Sequence, residues 1–351
     1  MTRPLAGGVF GPPGGAGDFA ELRQLAEDIG ARAFDERIGR RTLPDEFDAG
    51  AWRHLQDAGL TRLTSDPESG GGPRELALIL RALARHAVTV PLAETDLLAG
   101  WLAAKAGLEV PAEGPLTIAF GPAGATTLSD VPYAGAAAVV LALRDGAALQ
   151  VAIAHPATVA NGHNLGGEPR DTVTVAAPTG FVTVDGVADE LLRRGAWARC
   201  VQALGALDAA VEFSVAHTRE REQFGRPLSA FQAVQHTLAS MAGEVERARA
   251  ATELAVAAVA DHGFASAQAD YAVTVAKVVV GRVVPAVVTA AHQLHGAIGV
   301  TLEHRLWLAT MRARSWIDEF GDTASHARRL GRLALAAGRD GDPWDFVVGC
   351  Y

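Results

Sequence analysis

The sequence predicts a mainly α-helical protein interrupted by one small β domain. Three observations carry that prediction. Apolar residues recur at three- and four-residue steps from Asp18 to Gly107, shorten to brief or alternating runs between about Pro115 and Asp189, and return to long helical patterns from Glu190 onward. With 351 residues the chain has length enough for two or three domains. The changes of period set the expected divisions: a Pro- and Gly-rich flexible arm at 1–17, an N-terminal helical domain at 18–114, a central β domain at 115–189 and a C-terminal helical bundle at 190–351.

In the first helical block, Leu22, Leu25, Ile29 and Ala33 share one helix face. Phe47, Trp52, Leu55 and Leu60 mark a second, shorter helix that ends near Gly59. The turn Gly70-Gly71-Gly72-Pro73 introduces a third, with Leu76, Ile79, Leu80 and Leu83 along its apolar face, and a fourth follows Pro91. Strands are expected at Leu116 to Phe120, Ala137 to Leu143, Leu149 to Ile153, Asp171 to Ala176 and Phe181 to Val184, separated by turns such as Arg144-Asp145-Gly146 and Asn161-Gly162. Long helices should then run from Ala198 to Arg221, Ala230 to His262, Ala265 to His295 and Asp322 to Ala337, packing as an antiparallel bundle. Pro285 should begin or kink a segment, because proline removes a helical hydrogen bond.

Composition excludes several classes of function. A formal net charge of −9 supplies no overall basic field for gripping nucleic acid. The two cysteines, Cys200 and Cys350, have neither metal-ligand spacing nor the number for a disulfide framework, so a reducing cytoplasm is expected. The N-terminus lacks the charged start and apolar run of a secretion signal, and stretches such as Ala134 to Leu143 are too short to span a bilayer. No membrane association is expected. His292 and His295 have no Cys or carboxylate pattern around them, so they read as packed or surface histidines and no metal site is expected.

Two stretches carry the chemistry. The first is Arg219-Glu220-Arg221-Glu222-Gln223-Phe224-Gly225-Arg226-Pro227-Leu228, followed by Phe231-Gln232; the second is Gln293-Leu294-His295-Gly296-Ala297-Ile298-Gly299-Val300-Thr301, then Glu303. Either alone reads as a helix end or a turn. Together, separated by two long helices, they resemble the Arg-x-x-Phe-Gly and Gln-x-x-Gly-Gly-x-Gly segments of the acyl-CoA dehydrogenase family. The resemblance runs from about Asp18 onward and is strongest from Gly205 to Arg314, with Gly166-Gly167-Glu168-Pro169-Arg170 as a weaker echo. It implies that family's fold and FAD as cofactor, the two segments holding the ADP half, much of it on a neighbouring subunit. In that role Arg221 matches pyrophosphate oxygens with a fixed fork of donors and Gln223 is a second donor. Phe224 covers the cofactor edge and Leu228 lies alongside, while Gln293 offers donor and acceptor beside Gly296 and Gly299, which lack a Cβ that would hold the backbone off a ligand.

The rest of the family's pattern is missing. Oxidising an acyl-CoA between its α and β carbons needs a glutamate base and a flavin placed to accept hydride. Where many members carry that glutamate, this chain has Phe320, or Gly321 if the register is shifted by one; where others carry it, this chain has Gly195. The nearest substitutes are Glu319 and Asp322, whose default roles are helix-end charge and, for Asp322 or Thr323, an N-cap. The stretch Ala119-Phe120-Gly121-Pro122-Ala123-Gly124-Ala125-Thr126 keeps the Pro and Gly of a ring-contacting segment but loses its Thr-Glu start and Ser-Asp end. The resemblance therefore implies the subunit without the base in an α2β2 acyl-CoA dehydrogenase, a class associated with bulky acyl-CoA substrates including steroid side-chain thioesters, with an electron-transfer flavoprotein as one acceptor. The competing readings are a homomeric enzyme using Glu319 or Asp322 as base, and a cofactor-free subunit that only stabilises a partner.

Overall fold

The computed structural model describes residues 19–37, 43–176, 180–301 and 304–340; the arm expected at 1–17, Cys350 and Glu303 lie outside them. The described chain is mainly helical with a small sheet region. The N-terminal helices are α1 (Ala20–Arg37), α2 (Ala49–Asp57), α3 (Pro73–Arg85) and a π-helical stretch, Glu94–Gly100, that continues into α4 (Trp101–Ala106). Asp48 starts α2 by accepting from Ala51 N at 2.8 Å. Glu75 closes the start of α3 by accepting from Gly72 N at 2.9 Å, with Pro73 at the first position, where no amide hydrogen is needed.

The strands are β1 (Leu116–Pro122), β2 (Thr127–Pro132), β3 (Ala138–Asp145), β4 (Ala148–Ala154), β5 (Pro156–Ala160), β6 (Arg170–Val175) and β7 (Val182–Val184). They form one sheet ordered β1-β3-β4-β7 and another ordered β2-β6-β5. Alternation divides the labour of the first sheet. Leu116, Ile118, Val140, Ala142, Leu149 and Val151 join the helical core, whereas Ala119, Val139, Leu141 and Leu143 pack with Leu128 and Val173 of the second sheet. Strands β2 and β5 are additions to the sequence reading. The first is broken by a register shift between Leu128 and Val131 and the second is almost wholly exposed, so neither carries an apolar alternation.

The C-terminal helices are α5 (Ala188–Glu220), α6 (Gln232–His262), α7 (Ala267–His295), α8 (Arg305–Trp316) and α9 (Thr323–Asp340), with a two-stranded hairpin of β8 (Glu222–Gln223) and β9 (Arg226–Pro227) between α5 and α6. Helix α5 begins ten residues before the expected Ala198, and α8 was not expected. Its arginines hide a face on which Leu306, Ala309, Ala313 and Trp316 are buried. Pro285 lies inside α7 and neither begins nor ends it; the buried Val283, Val284, Val287 and Val288 around it hold the helix in the bundle despite the lost hydrogen bond. By length and composition alone Ala267–Val300 is apolar enough to cross a membrane, yet 67% of its most apolar window is buried inside the protein.

Candidate functional site

The two motif segments meet at one cleft of about 680 Å³. Helix α5 ends at Glu220, and Arg221 leaves it in extended conformation, its N–H still donating to the His217 carbonyl at 2.9 Å. The hairpin then turns through Phe224 and Gly225, both at positive φ (52° and 78°), the pattern of a tight two-residue turn. From the other side α7 delivers Gln293, and Gly296 ends that helix at φ 64°. Arg221, Gln223, Leu228, Gln293 and Gly296 all line the cleft, together with His217 and His295. The Arg221 guanidinium has no protein partner among the described residues, and a Cβ at 296 would find nothing within 4 Å. A planar fork of donors, unpaired among the described residues, beside an exposed amide and open backbone fits the anionic half of a dinucleotide.

Two of the expected contact residues stand elsewhere. Phe224 is 89% exposed on the turn, edge-on to Phe231 at 6.2 Å, so within one chain it covers no cleft. Gly299 is buried and does not line the cleft. A Cβ there would come within 2.8 Å of His295 Cβ and 3.1 Å of Leu306 Cδ2, so packing against α7 and α8 by itself calls for a glycine here.

The second centre is a separate cleft, also about 680 Å³, between the β domain and residues 315–321; Ile118, Phe120, Arg170, Glu319 and Phe320 are among its walls. Glu319 is no free base. Arg170 Nη2 donates to Glu319 Oε1 at 2.7 Å, Arg199 Nε donates to Oε2 at 2.6 Å, and Arg199 Nη2 reaches on to Glu94 at 2.6 Å. Burial would raise the Glu319 carboxyl, but the two guanidinium groups outweigh it and hold it down at about 2. A base that weak is mismatched to a proton α to a thioester. Lys277 Nζ, on α7, fixes the same loop by donating to the Ile317 and Glu319 carbonyls at 2.8 Å each. Asp322 is exposed and caps α9, accepting from Ser325 N at 2.6 Å.

The two positions that the resemblance marks for a base are one place in space. A Cβ on Gly195 would fall within the ring of Phe320, which therefore occupies the volume any side chain at 195 would need. Phe320 adopts φ 56°, a left-handed conformation uncommon outside glycine, and so turns its ring onto α5. Gly195→Ala is expected to destabilise the protein by about 1–3 kcal/mol through overpacking, and by less in a Phe320→Ala background. Denaturant melts of the four proteins in that cycle check it; additive single effects would show that the two residues do not share the space.

Sequence reasoning missed the ion network of Glu94, Arg199, Glu319, Arg170 and Glu168. Its signal was present: Arg199 lies among Ala198, Cys200, Val201 and Ala203, and a charge inside a mostly apolar helical stretch must find a partner. The Gly166 to Arg170 segment, the weaker echo of the family resemblance, acts in the structure as a tertiary staple. Glu168 accepts from Trp316 Nε1 at 2.8 Å, the Gly167 carbonyl accepts from Asp45 N at 2.8 Å, and the Gly166 Cα abuts Arg312.

Comparison with known proteins agrees with this geometry. The model of the acyl-CoA dehydrogenase C-terminal domain matches residues 186–334, which hold both motif segments and the Gly195–Phe320 contact. The acyl-CoA dehydrogenase IpdE2 of Mycolicibacterium smegmatis is 26% identical over 332 residues, covering 89% of this chain and 98% of that protein. Among solved structures, a Tcur3481–Tcur3483 steroid ACAD variant superposes with a TM-score of 0.77 at 25% identity, covering 92% of this chain and 99% of that one. The Mycobacterium tuberculosis ChsE4–ChsE5 complex gives 0.76 at 23% identity over 90% and 97% of the two chains, a likeness of fold.

Proposed function

We propose that this chain, which belongs to the acyl-CoA dehydrogenase family, is the base-lacking subunit of a two-chain acyl-CoA dehydrogenase and completes the FAD site of a homologous partner. Members of the family are FAD-dependent flavoproteins. The observation that carries the reading is the Phe320 ring seated on Gly195, which fills both base positions with one apolar contact. When bound, FAD supplies the hydride acceptor. This chain's part is to hold the nucleotide half: Arg221 and Gln223 at the pyrophosphate, Gln293 and the Gly296 backbone along it, and Leu228 packing beside them. Ile298 in the cleft wall is exposed, as are Phe224 and Val300 on the same two motif segments, and such exposed apolar side chains suit this face to meeting a second subunit.

The name of one structural relative, a steroid ACAD formed from two gene products, supports a bulky polycyclic acyl-CoA as substrate class and an α2β2 assembly. The homomeric alternative has no observation in its favour, since Glu319 is tied to two arginines and Asp322 to the start of α9. A cofactor-free role gives no purpose to the convergence of Arg221, Gln223, Gln293 and Gly296 on one cleft.

Flavin content after co-purification with the homologous chain tests the assignment. Arg221→Ala is expected to weaken FAD retention in the assembled enzyme by about 1.5–3 kcal/mol, the worth of a charge-assisted hydrogen bond. Unchanged flavin affinity in that variant would remove Arg221 from the site.

A further inference from the structure

Within the nucleotide cleft one residue has no counterpart in the motif argument. His217 lies one turn before Arg221 on α5, lines the same cleft, and neither of its ring nitrogens has a hydrogen-bond partner among the described residues. Its ring is stacked on His295 at 4.4 Å, with only 21° between the planes, and His304 meets His295 edge-on at 5.1 Å. We propose that His217 is a second pyrophosphate ligand, taking up a proton as the nucleotide half of FAD enters the cleft. The inference rests on the reading of this cleft as a FAD site.

The three contacting rings are not equivalent. His295 is 6% exposed and its Nδ1 lies 2.8 Å from the Ala291 carbonyl, to which it donates. Burial holds it down at about 4, so it stays neutral and serves as a flat support. His304 is occupied at the start of α8, where its Nδ1 accepts from Leu306 N at 3.1 Å. Of the three, His217 is the ring that lines the cleft with both nitrogens unpartnered among the described residues.

The charges around His217 explain why an anion would change its state. Burial lowers it from 6.5, Arg221 lowers it further, and Glu220 opposes them. From α7 it meets His295, and from the start of α8 His304 with Arg305 behind it; α6 lines the cleft with uncharged Ala233, Val234 and Thr237. An empty cleft therefore keeps His217 neutral at neutral pH. A pyrophosphate there neutralises Arg221 and attracts an imidazolium, which raises His217 in the complex. Because the bound form holds the proton more tightly, affinity rises as pH falls through the interval between the two values.

The test is calorimetric titration of the flavin-stripped assembled enzyme with FAD, whose pyrophosphate diester does not itself titrate near neutrality. Wild type is expected to bind about tenfold more tightly at pH 6 than at pH 8, with proton uptake evident as buffer-dependent heat. In His217→Gln the uptake and the pH slope should vanish and affinity should stay at its high-pH level. In His217→Arg affinity should be high and independent of pH. A wild-type slope and proton uptake that persist in His217→Gln would overturn the proposal while Arg221→Ala still weakens binding. If Arg221→Ala is also without effect, the FAD reading of the cleft falls instead.

Discussion

Purified alone and supplied with FAD, the chain is expected to oxidise no acyl-CoA thioester at a measurable rate, and, on the two-chain assignment proposed above, mixing with a homologous partner should bring activity up. The size of the effect follows from what is absent. General-base catalysis is worth about 10²–10⁴-fold, and neither candidate carboxylate near the loop supplies it. Glu319 is held at about 2 by Arg170 and Arg199, and Asp322 points into solvent at the start of α9. Asp322→Asn should leave the assembled enzyme's rate unchanged, since asparagine caps a helix as well as aspartate does. Turnover by the isolated chain, with acyl-CoA consumption followed against an artificial electron acceptor, would return the base to this subunit and refute the division of labour.

The fold was legible where one period dominates for many residues. Helices α6 and α7 end at His262 and His295, the limits their patterns suggest, because thirty residues of 3.6-fold repeat leave little freedom of register. Helix α8 was hidden because arginines interrupt its pattern, and one of them, Arg312, is itself buried: its Nη2 donates to Asp45 Oδ2 and Thr89 Oγ1 at 3.0 Å each, so a residue that reads as surface is core. Burial of a paired charge inverts the rule on which periodicity depends.

The cleft formed by Arg221, Gln223, Leu228, Gln293 and Gly296 was readable because its residues come in two contiguous segments, each short enough to be seen as a motif. Five of the seven expected residues do converge. Phe224 and Gly299 do not, for reasons no linear pattern contains: one is turned outward by a positive φ, and the other is needed so that His295 and Leu306 close over it. The Gly195–Phe320 contact was half visible. Both vacant base positions were identified in the sequence, but that they adjoin in space depends on how the loop after α8 folds back onto α5.

The pinning of that loop leads to the largest stability effect expected. Glu319→Gln leaves Arg170 and Arg199 facing one neutral amide, and both guanidinium groups are almost wholly buried, at 5% and 2% exposure of their side chains. Breaking a buried ion pair by removing one partner costs about 3–5 kcal/mol; with the Glu319 side chain itself 23% exposed, the lower end, about 3 kcal/mol, is the expected loss. The pH dependence has a definite sign. A carboxyl whose folded value is depressed from 4.5 to about 2 contributes stability that is present in full above 4.5 and lost as pH falls toward 2. The stability gap between wild type and Glu319→Gln should therefore be constant at neutral pH and narrow steadily as the medium is acidified from about pH 4.5 to about pH 3. Denaturant unfolding across that range reads it. A gap that does not narrow would mean that Glu319 acts through its shape and hydrogen bonds, with its charge contributing nothing to holding the loop against α5.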